Sequence, residues 1–355
     1  MRVLSLFSGI GAFEKALSNL NIKYELVNYC EIDKFASMAY STIHDVDEKL
    51  NLGDIRSVDI GYLPNDIDLL THGSPCQDFS VAGYGRGADG NTRSSLMWNS
   101  VEIIKHCRPK VVIWENVKNV LSVKHRHNFE KYLDELEKVG YKNYHQVLNA
   151  KHYGIPQNRE RIFVISILDN RHFKFPEPFE RNITLRDMLE KSVDEKFFIS
   201  PKKYQSILNS NFNQERHRIQ KKDLCATLLA SDFSSPKCVY ENIKIKVNEE
   251  TKKRYTIATP EDAINIERPA SKTRRARVGK EVVHTITITP QQGILDVDYR
   301  VRKLIPLEYW RLMGFSDEDF WKVKSIGMSN TQLYKQAGNS IVVNVLMEIY
   351  KNLFF

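Results

Sequence analysis

Cys76 follows the run Leu69-Leu70-Thr71-His72-Gly73-Ser74-Pro75, in which two leucines end a buried strand and Gly-Ser-Pro turns the chain. A cysteine at the end of a proline-fixed turn has the layout of a nucleophile, because a presented thiolate can add to an electrophilic carbon. Downstream, Gly83, Gly85, Gly87 and Gly90 suit a mobile surface loop able to cover such a site. The bland alternative has equal weight at this point: Cys76 is one of five scattered cysteines, and most buried cysteines are small core hydrophobes.

Other residues suggest chemistry in the same qualified way. Glu115 ends the apolar run of PKVVIWENV, another buried strand finishing in polar groups. Arg159 and Arg161 alternate with Glu160 ahead of a strong strand, so both face one side. A guanidinium fork there would hold a phosphate or a base oxygen, although arginines before an edge strand are commonly just solvated. Near the start, Phe7-Ser8-Gly9-Ile10-Gly11 joins a strand to a helix and lets backbone approach a ligand. The third glycine of the dinucleotide fingerprint is replaced by Glu14, so a tight turn without ligand is the competing reading. Glu31 closes the second strand about 20 residues further on, where an acid can accept from a ribose hydroxyl pair. Asp54, in Gly53-Asp54-Ile55, is placed to accept from an exocyclic amine; either acid is otherwise a helix cap or a solvated face. Residues 267–280 hold six basic side chains and one acid, among them Lys272, Arg274, Arg275 and Arg277. That run is either a solvated loop or a phosphate contact, and Gln291-Gln292-Gly293 would present amides to base edges.

The elements that must position these groups alternate between strand and helix through about the first 120 residues, which predicts an α/β domain around a largely parallel sheet. Ligands on such sheets sit beyond the carboxyl ends of the strands, and the Gly9 turn, Glu31, Cys76 and Glu115 all fall at such ends. Helical periodicity over 95–106 makes Leu96, Val101, Ile103 and Ile104 core candidates. From about 190 to 300 the chain turns polar and irregular, with β-like runs at 243–247, 255–257 and 282–288, which predicts a smaller second domain. After it come a short helix closed by Gly314, a turn at Gly338-Asn339-Ser340, and a long apolar helix. That helix needs the first sheet for burial, so the first domain is expected over 1–188 completed by 323–355. The second domain is expected over 189–300, and a hinge and linker helix over 301–322.

The chain of 355 residues has 52 basic and 44 acidic side chains, a net charge of +8, which favours a polyanionic partner. An odd number of unpaired cysteines at no framework spacing, with no processing signature in the first segment, points to reducing cytosol. No close cysteine pair suggests a zinc site, and no apolar run is long enough to cross a bilayer.

Taken in order, FSGIGAFE at 7–14, Glu31, GDI at 53–55, SPCQ at 74–77, ENV at 115–117, QNRER at 157–161, RKLIPLEYWRLMGF at 302–315 and QAGNS at 336–340 resemble the DNA (cytosine-5) methyltransferases over nearly the whole chain. The resemblance implies a Rossmann-like domain dependent on S-adenosylmethionine, a smaller irregular β-containing target-recognition domain, and a DNA cleft between them. It implies methyl transfer to C5 of a flipped-out cytosine in a short specific sequence of double-stranded DNA, leaving S-adenosylhomocysteine. Cys76 would add to C6, Glu115 would assist at N3, and Arg159 and Arg161 would complete the catalytic set. Cofactor contacts would come from Phe7, Ser8, Gly9, Gly11, Glu31 and Ile32. Asp54, Ile55, Pro75, Leu96, Asn339 and Ser340 would extend them. DNA would meet Gln77, Ser80 and Arg93 on the glycine loop, and Lys272, Arg274, Arg275, Arg277, Gln291 and Gln292 in the second domain. The chain departs from the family at Ala12, where glycine is usual, and at Ile32, where an aromatic residue is usual. A monomeric bacterial or phage cytoplasmic modification enzyme is implied, with no metal and with or without a companion restriction endonuclease in no stable complex.

Three other readings compete. One is a transfer-RNA cytosine-5 methyltransferase of the same family. Another is a nicotinamide-dependent oxidoreductase, which leaves SPCQ and ENV without a role. The third is a non-catalytic DNA-binding module, which has no need of Cys76 in this setting.

Overall fold

A computed structural model describes residues 1–75, 96–179, 183–198, 219–220, 224–233, 237–241, 245–248, 255–258, 263–265, 278–279, 292–294 and 300–355. Cys76, Gln77, Ser80, Arg93, Lys272, Arg274, Arg275, Arg277 and Gln291 lie outside the described residues, as does the expected strand at 282–288.

The central sheet contains β1 (Arg2–Leu6), β2 (Glu25–Cys30), β3 (Leu69–His72), β4 (Val111–Val117), β5 (Lys142–Asn149) and β7 (Glu160–Ile167), in the order β2-β1-β3-β4-β7-β5. A two-residue strand, β6 (Gln157–Asn158), precedes β7 outside that sheet. The pairs among β2, β1, β3 and β4 are parallel. Helices α1 (Ala12–Asn19), α2 (Lys34–His44) and α3 (Met97–Cys107) lie in the connections between these strands. Parallel neighbours need crossovers of that kind, and burial on both faces explains why Leu4, Leu70, Val112 and Ile113 form near-continuous apolar runs. β7 alone runs opposite to the other five strands, because the chain returns from β5 through a short link with no α-helix. The strand after Arg159 is therefore internal, and β5 forms the edge, contrary to the edge strand that the arginine pattern suggests.

α4 (Arg126–Val139) buries Phe129, Tyr132 and Leu136 and ends at Gly140 with φ 107°. At the C-terminus come α5 (Pro306–Arg311), α6 (Asp317–Ser325), α7 (Asn330–Asn339) and α8 (Val343–Phe354). The last of these packs against α1, and Lys15 on α1 pairs with Asp319 on α6 at 2.7 Å. Gly338 and Asn339 are the final residues of α7 rather than a turn. A side chain at Gly338 would overlap the backbone of Leu229 and Ala230, so the glycine is there for close packing and the helix continues through it.

Contacts divide the chain into two compact units: Met1–Glu190 with Lys222–Pro236 and Ile305–Phe355, and Lys191–Lys221 with Lys237–Leu304. Residues 222–236, within the range expected for the second domain, thus pack with the first unit. There β9 (Cys225–Ala226) pairs with β6, and Gln157 ties the segment down by accepting from Leu228 N at 3.2 Å and donating to Leu312 O at 2.8 Å. The expected 301–322 linker divides between the units after Leu304.

In the second unit, β10 (Cys238–Glu241) lies between β8 (Ile219–Gln220) and β16 (Arg300–Lys303). A hairpin joins β11 (Ile245–Asn248) to β12 (Tyr255–Ala258), in agreement with the β-like runs at 243–247 and 255–257. The remaining small sheet sets β13 (Ala263–Asn265) between β14 (Val278–Gly279) and β15 (Gln292–Ile294), so Gln292 opens a strand.

Candidate active site

Strand register builds the site. Leu6 pairs with Cys30 and with His72, and His72 pairs with Trp114, so these four residues lie level across the sheet. The next residue on each strand then forms a row at the carboxyl edge: Phe7, Glu31, Gly73 and Glu115. Neighbouring strands lie about 4.8 Å apart, so the whole row spans only about 15 Å.

At one end of the row the backbone turns sharply, with φ of 52° at Phe7, 57° at Gly9 and 79° at Gly11. The two glycines have different reasons for lacking a side chain. A Cβ at Gly9 meets nothing within 4 Å, whereas one at Gly11 would fall inside the His44 ring. Gly9 therefore faces open space, and Gly11 makes room for protein. Gly9 N donates to Glu31 Oε2 at 2.9 Å and Asp33 N to Glu31 Oε1 at 2.8 Å, so each carboxylate oxygen retains acceptor capacity. Burial raises the Glu31 pKa, and these backbone donors act in the opposite direction. Ser8 Oγ is buried without a hydrogen-bond partner, and Ile32, the residue after Glu31, is 69% exposed. An orphaned hydroxyl, an open glycine and a carboxylate with spare lone pairs, next to an exposed apolar side chain, fit a nucleoside with a polar tail.

Asn51, which belongs to none of the sequence motifs, organises this end. Its amide donates to Glu31 O at 2.9 Å, and its Oδ1 accepts from Glu31 N at 3.0 Å and Gly53 N at 2.9 Å. Its one signal in the sequence is an Asn two residues before the Gly-Asp pair. Asp54 follows the cap reading: it accepts from Arg56 N at 3.0 Å and pairs with the Arg56 guanidinium, while Ile55 enters the core. Leu96 is half-buried against the same core, immediately before α3. Asn339 is exposed at the end of α7, and the Ser340 hydroxyl donates to Ile341 O at 3.2 Å.

At the other end Glu115 is buried, with Oε2 3.8 Å from the position of a Cβ on Gly73. Gly73 lies three residues before Cys76. Arg161 Nε is 3.0 Å from Glu115 Oε1. This pairing follows from the antiparallel register: Glu115 is opposite Phe163, so Arg161 is its diagonal neighbour on the same face. Burial raises the Glu115 pKa, and the Arg161 and Arg159 charges oppose the rise. Arg159 lines the same small cavity as Arg161, together with Phe163 and Ile341. Its fork, however, is occupied by main-chain carbonyls: Leu228 O at 2.8 Å, Ser340 O at 2.8 Å and Gly338 O at 3.2 Å. Arg159 therefore supplies charge and holds three segments together, while Arg161 carries the direct contact to Glu115.

The family described as C-5 cytosine-specific DNA methylase matches residues 1–354. The chain belongs to that family. It is a DNA cytosine-5 methyltransferase, an enzyme that depends on S-adenosylmethionine and methylates C5 of cytosine in DNA. It is 35% identical to the type II methyltransferase M2.ScrFI of Lactococcus lactis subsp. cremoris, over 100% of this chain and 99% of the relative. It is 33% identical to the orphan methyltransferase M.SPRI of Bacillus phage SPR, over 99% and 97%. Among solved structures, the Dnmt2 methyltransferase of S. pombe superposes with a TM-score of 0.64 at 20% identity, covering 100% of both chains, and so shares the fold. These matches favour methyl transfer over the nicotinamide alternative. Among the described residues, no helix of this methyltransferase is long and apolar enough to cross a membrane.

Proposed function

We propose that the enzyme methylates a cytosine flipped out of a short specific sequence of double-stranded DNA, through a covalent bond between Cys76 Sγ and C6 of the ring. C5 of cytosine is a poor nucleophile. Thiolate addition at C6 turns the ring into an enamine whose C5 can attack an electrophilic methyl, while protonation at N3 accommodates the charge. Glu115 gives that proton and binds the N3 and N4 edge. Arg161 orients Glu115 and, with Arg159, favours the thiolate. After transfer a base, taken to be water, removes the C5 proton and Cys76 leaves by elimination. Extracting the base from the stack costs a few kcal/mol. The observation that carries this reading is the buried Glu115–Arg161 pair beside Gly73, at the head of the turn that leads to Cys76.

S-adenosylmethionine supplies a methyl group activated by a sulfonium. Glu31 would accept from its ribose hydroxyls, Ile32 would cover the adenine, and Gly9 and Ser8 would face its polar tail. Phe7, Gly11, Asp54, Ile55, Pro75, Leu96, Asn339 and Ser340 complete the proposed surround, several of them by holding backbone rather than by touching ligand.

Cys76→Ser is expected to keep DNA and cofactor binding and to lose tritiated methyl incorporation into duplex DNA. Bisulfite sequencing of DNA from cells expressing the wild type would give the methylated cytosine and its flanks. Wild-type turnover by the variant would remove the thiolate step.

The second unit is proposed to read the target, with Lys272, Arg274, Arg275, Arg277, Gln291 and Gln292 toward DNA, joined by Gln77, Ser80 and Arg93. Neutralising Arg274, Arg275 and Arg277 together is expected to weaken duplex binding and to make log K less steep in log salt, by about 0.9 for each phosphate that the variant leaves unneutralised. An unchanged slope would make the run a solvated loop.

A further inference from the structure

We infer that Ser74 and Trp114 form a positioning pair that sets the approach of the chain to Cys76. The inference rests on the proposed role of Cys76 and goes beyond it by naming what holds the turn. Ser74 is buried two residues before the cysteine. The Trp114 indole N–H donates to Ser74 Oγ at 3.1 Å, and the Asn116 amide donates to Ser74 O at 3.3 Å and to Oγ at 3.4 Å. An indole has one donor and no acceptor, so burying it requires an oxygen at one particular place, and the serine provides it.

Trp114 is itself held. Its ring packs on Tyr132 with centroids 4.3 Å apart and lies nearly parallel to His72 at 5.9 Å, with Phe129 at 6.0 Å. His72 Nε2 shares a hydrogen bond with the Tyr132 hydroxyl at 2.9 Å. Burial lowers the His72 pKa to about 3, so this shell is neutral near pH 7 and acts by shape and hydrogen bonding. A rigid connection therefore runs from α4 through Trp114 to Ser74 Oγ. Consecutive Cα atoms are about 3.8 Å apart and Pro75 has a fixed φ, so a shift at Ser74 passes to Cys76 with few torsions to absorb it.

The test uses the full-length enzyme and duplex DNA carrying 5-fluorocytosine at the methylated position, with S-adenosylmethionine present, so that the covalent adduct accumulates. Ser74→Ala and Trp114→Phe are each expected to slow adduct formation and kcat about tenfold, because small misplacements of a nucleophile are costly. KM for DNA and cofactor affinity should stay within about twofold, the signature of an interaction needed in the transition state. The double variant should be no slower than the worse single, since it removes donor and acceptor together. Ser74→Thr, which keeps the hydroxyl, should recover most of the rate. Unchanged adduct rates in the folded single variants would overturn the pair. So would losses that multiply in the double variant, that follow KM, or that track thermal unfolding. A wild type that forms no adduct would remove the Cys76 reading and this inference with it, whereas an active wild type with indifferent variants removes the inference alone.

Discussion

Glu115→Gln is expected to lower the single-turnover methyl-transfer rate by about 10²- to 10⁴-fold, the range for loss of a positioned general acid, with cofactor binding intact. Glutamine keeps the shape and can still donate a hydrogen bond to N3, but it cannot deliver a proton. The structural reason for assigning this proton to Glu115 is its setting. Burial raises its pKa against the opposing pull of Arg161 and Arg159, so the carboxyl holds its proton to higher pH than a surface glutamate does. The competent form is the protonated one, and it declines as pH rises through that raised pKa. Thiolate formation at Cys76 runs the other way, so the wild-type rate should be bell-shaped in pH and the variant should keep only the rising limb. Tritiated methyl incorporation measured across pH reads both effects, with thermal unfolding as the control for Arg161 losing its partner. A variant with the wild-type rate and profile would exclude Glu115 as the acid.

Glu14→Gln is expected to remove one component of stability that falls with rising pH and to stabilise the protein above neutrality. Glu14 is fully buried on α1, and neither of its carboxyl oxygens has a formed hydrogen bond. Desolvation raises its pKa from 4.5 to about 7, with Ser5 and Tyr40 near enough to ease the charge slightly. Tyr24, Tyr40 and Tyr350 face it; burial raises their pKa values, and the Glu14 charge adds to the rise. Between pH 4.5 and 7 the folded state therefore binds a proton that the unfolded chain releases. The stability this contributes is complete below the unfolded value and is lost as pH rises through the folded one, a change of about 3 kcal/mol by about pH 8.5. His44, whose ring lies next to Tyr40, has the opposite sign: burial lowers its pKa from 6.5 to about 4. Its contribution is present above pH 6.5 and is lost as pH falls toward 4. Together these groups place a stability maximum between them. Denaturant titrations at about pH 5, 6, 7 and 8.5 should show the free energy of unfolding of the wild type falling relative to that of Glu14→Gln, the His44 contribution being common to both. Parallel lines would mean that Glu14 is ionised in the fold.

Much of the candidate site is legible in the sequence because its signals are local. A buried strand followed by glycine or an acid marks a carboxyl edge, and the four parallel strands are readable from apolar runs, although Leu69 and Leu70 open β3, which continues to His72, instead of ending it. Glu115 and Glu31 stand out for the same reason, and the ordered motifs specify the family. Alternation places Arg159 and Arg161 on one side, but it cannot say which of the two reaches the acid. Asp54 offers two readings of equal weight, since capping and ligand binding demand the same side chain in the same place.

The rest depends on contacts between residues far apart in the chain. Arg159 is occupied by carbonyls from residues 69, 179 and 181 positions away, a partnership that no pattern around QNRER encodes. Gly338 reads as a turn residue because glycine usually signals one; only the backbone of Leu229 lying against it shows that the requirement is for space. The same holds for Ser74 and Trp114, 40 positions apart. By itself the sequence determined the family, the alternation of strands and helices through about the first 120 residues, and that the Gly9 turn, Glu31 and Glu115 lie along one edge of the sheet, because these follow from local periodicity and short motifs. The tertiary structure decided which arginine touches Glu115, what restrains the turn before Cys76, and that residues 222–236 pack with the first unit. These depend on register and packing across the sheet, and a single chain read in order contains no measure of either.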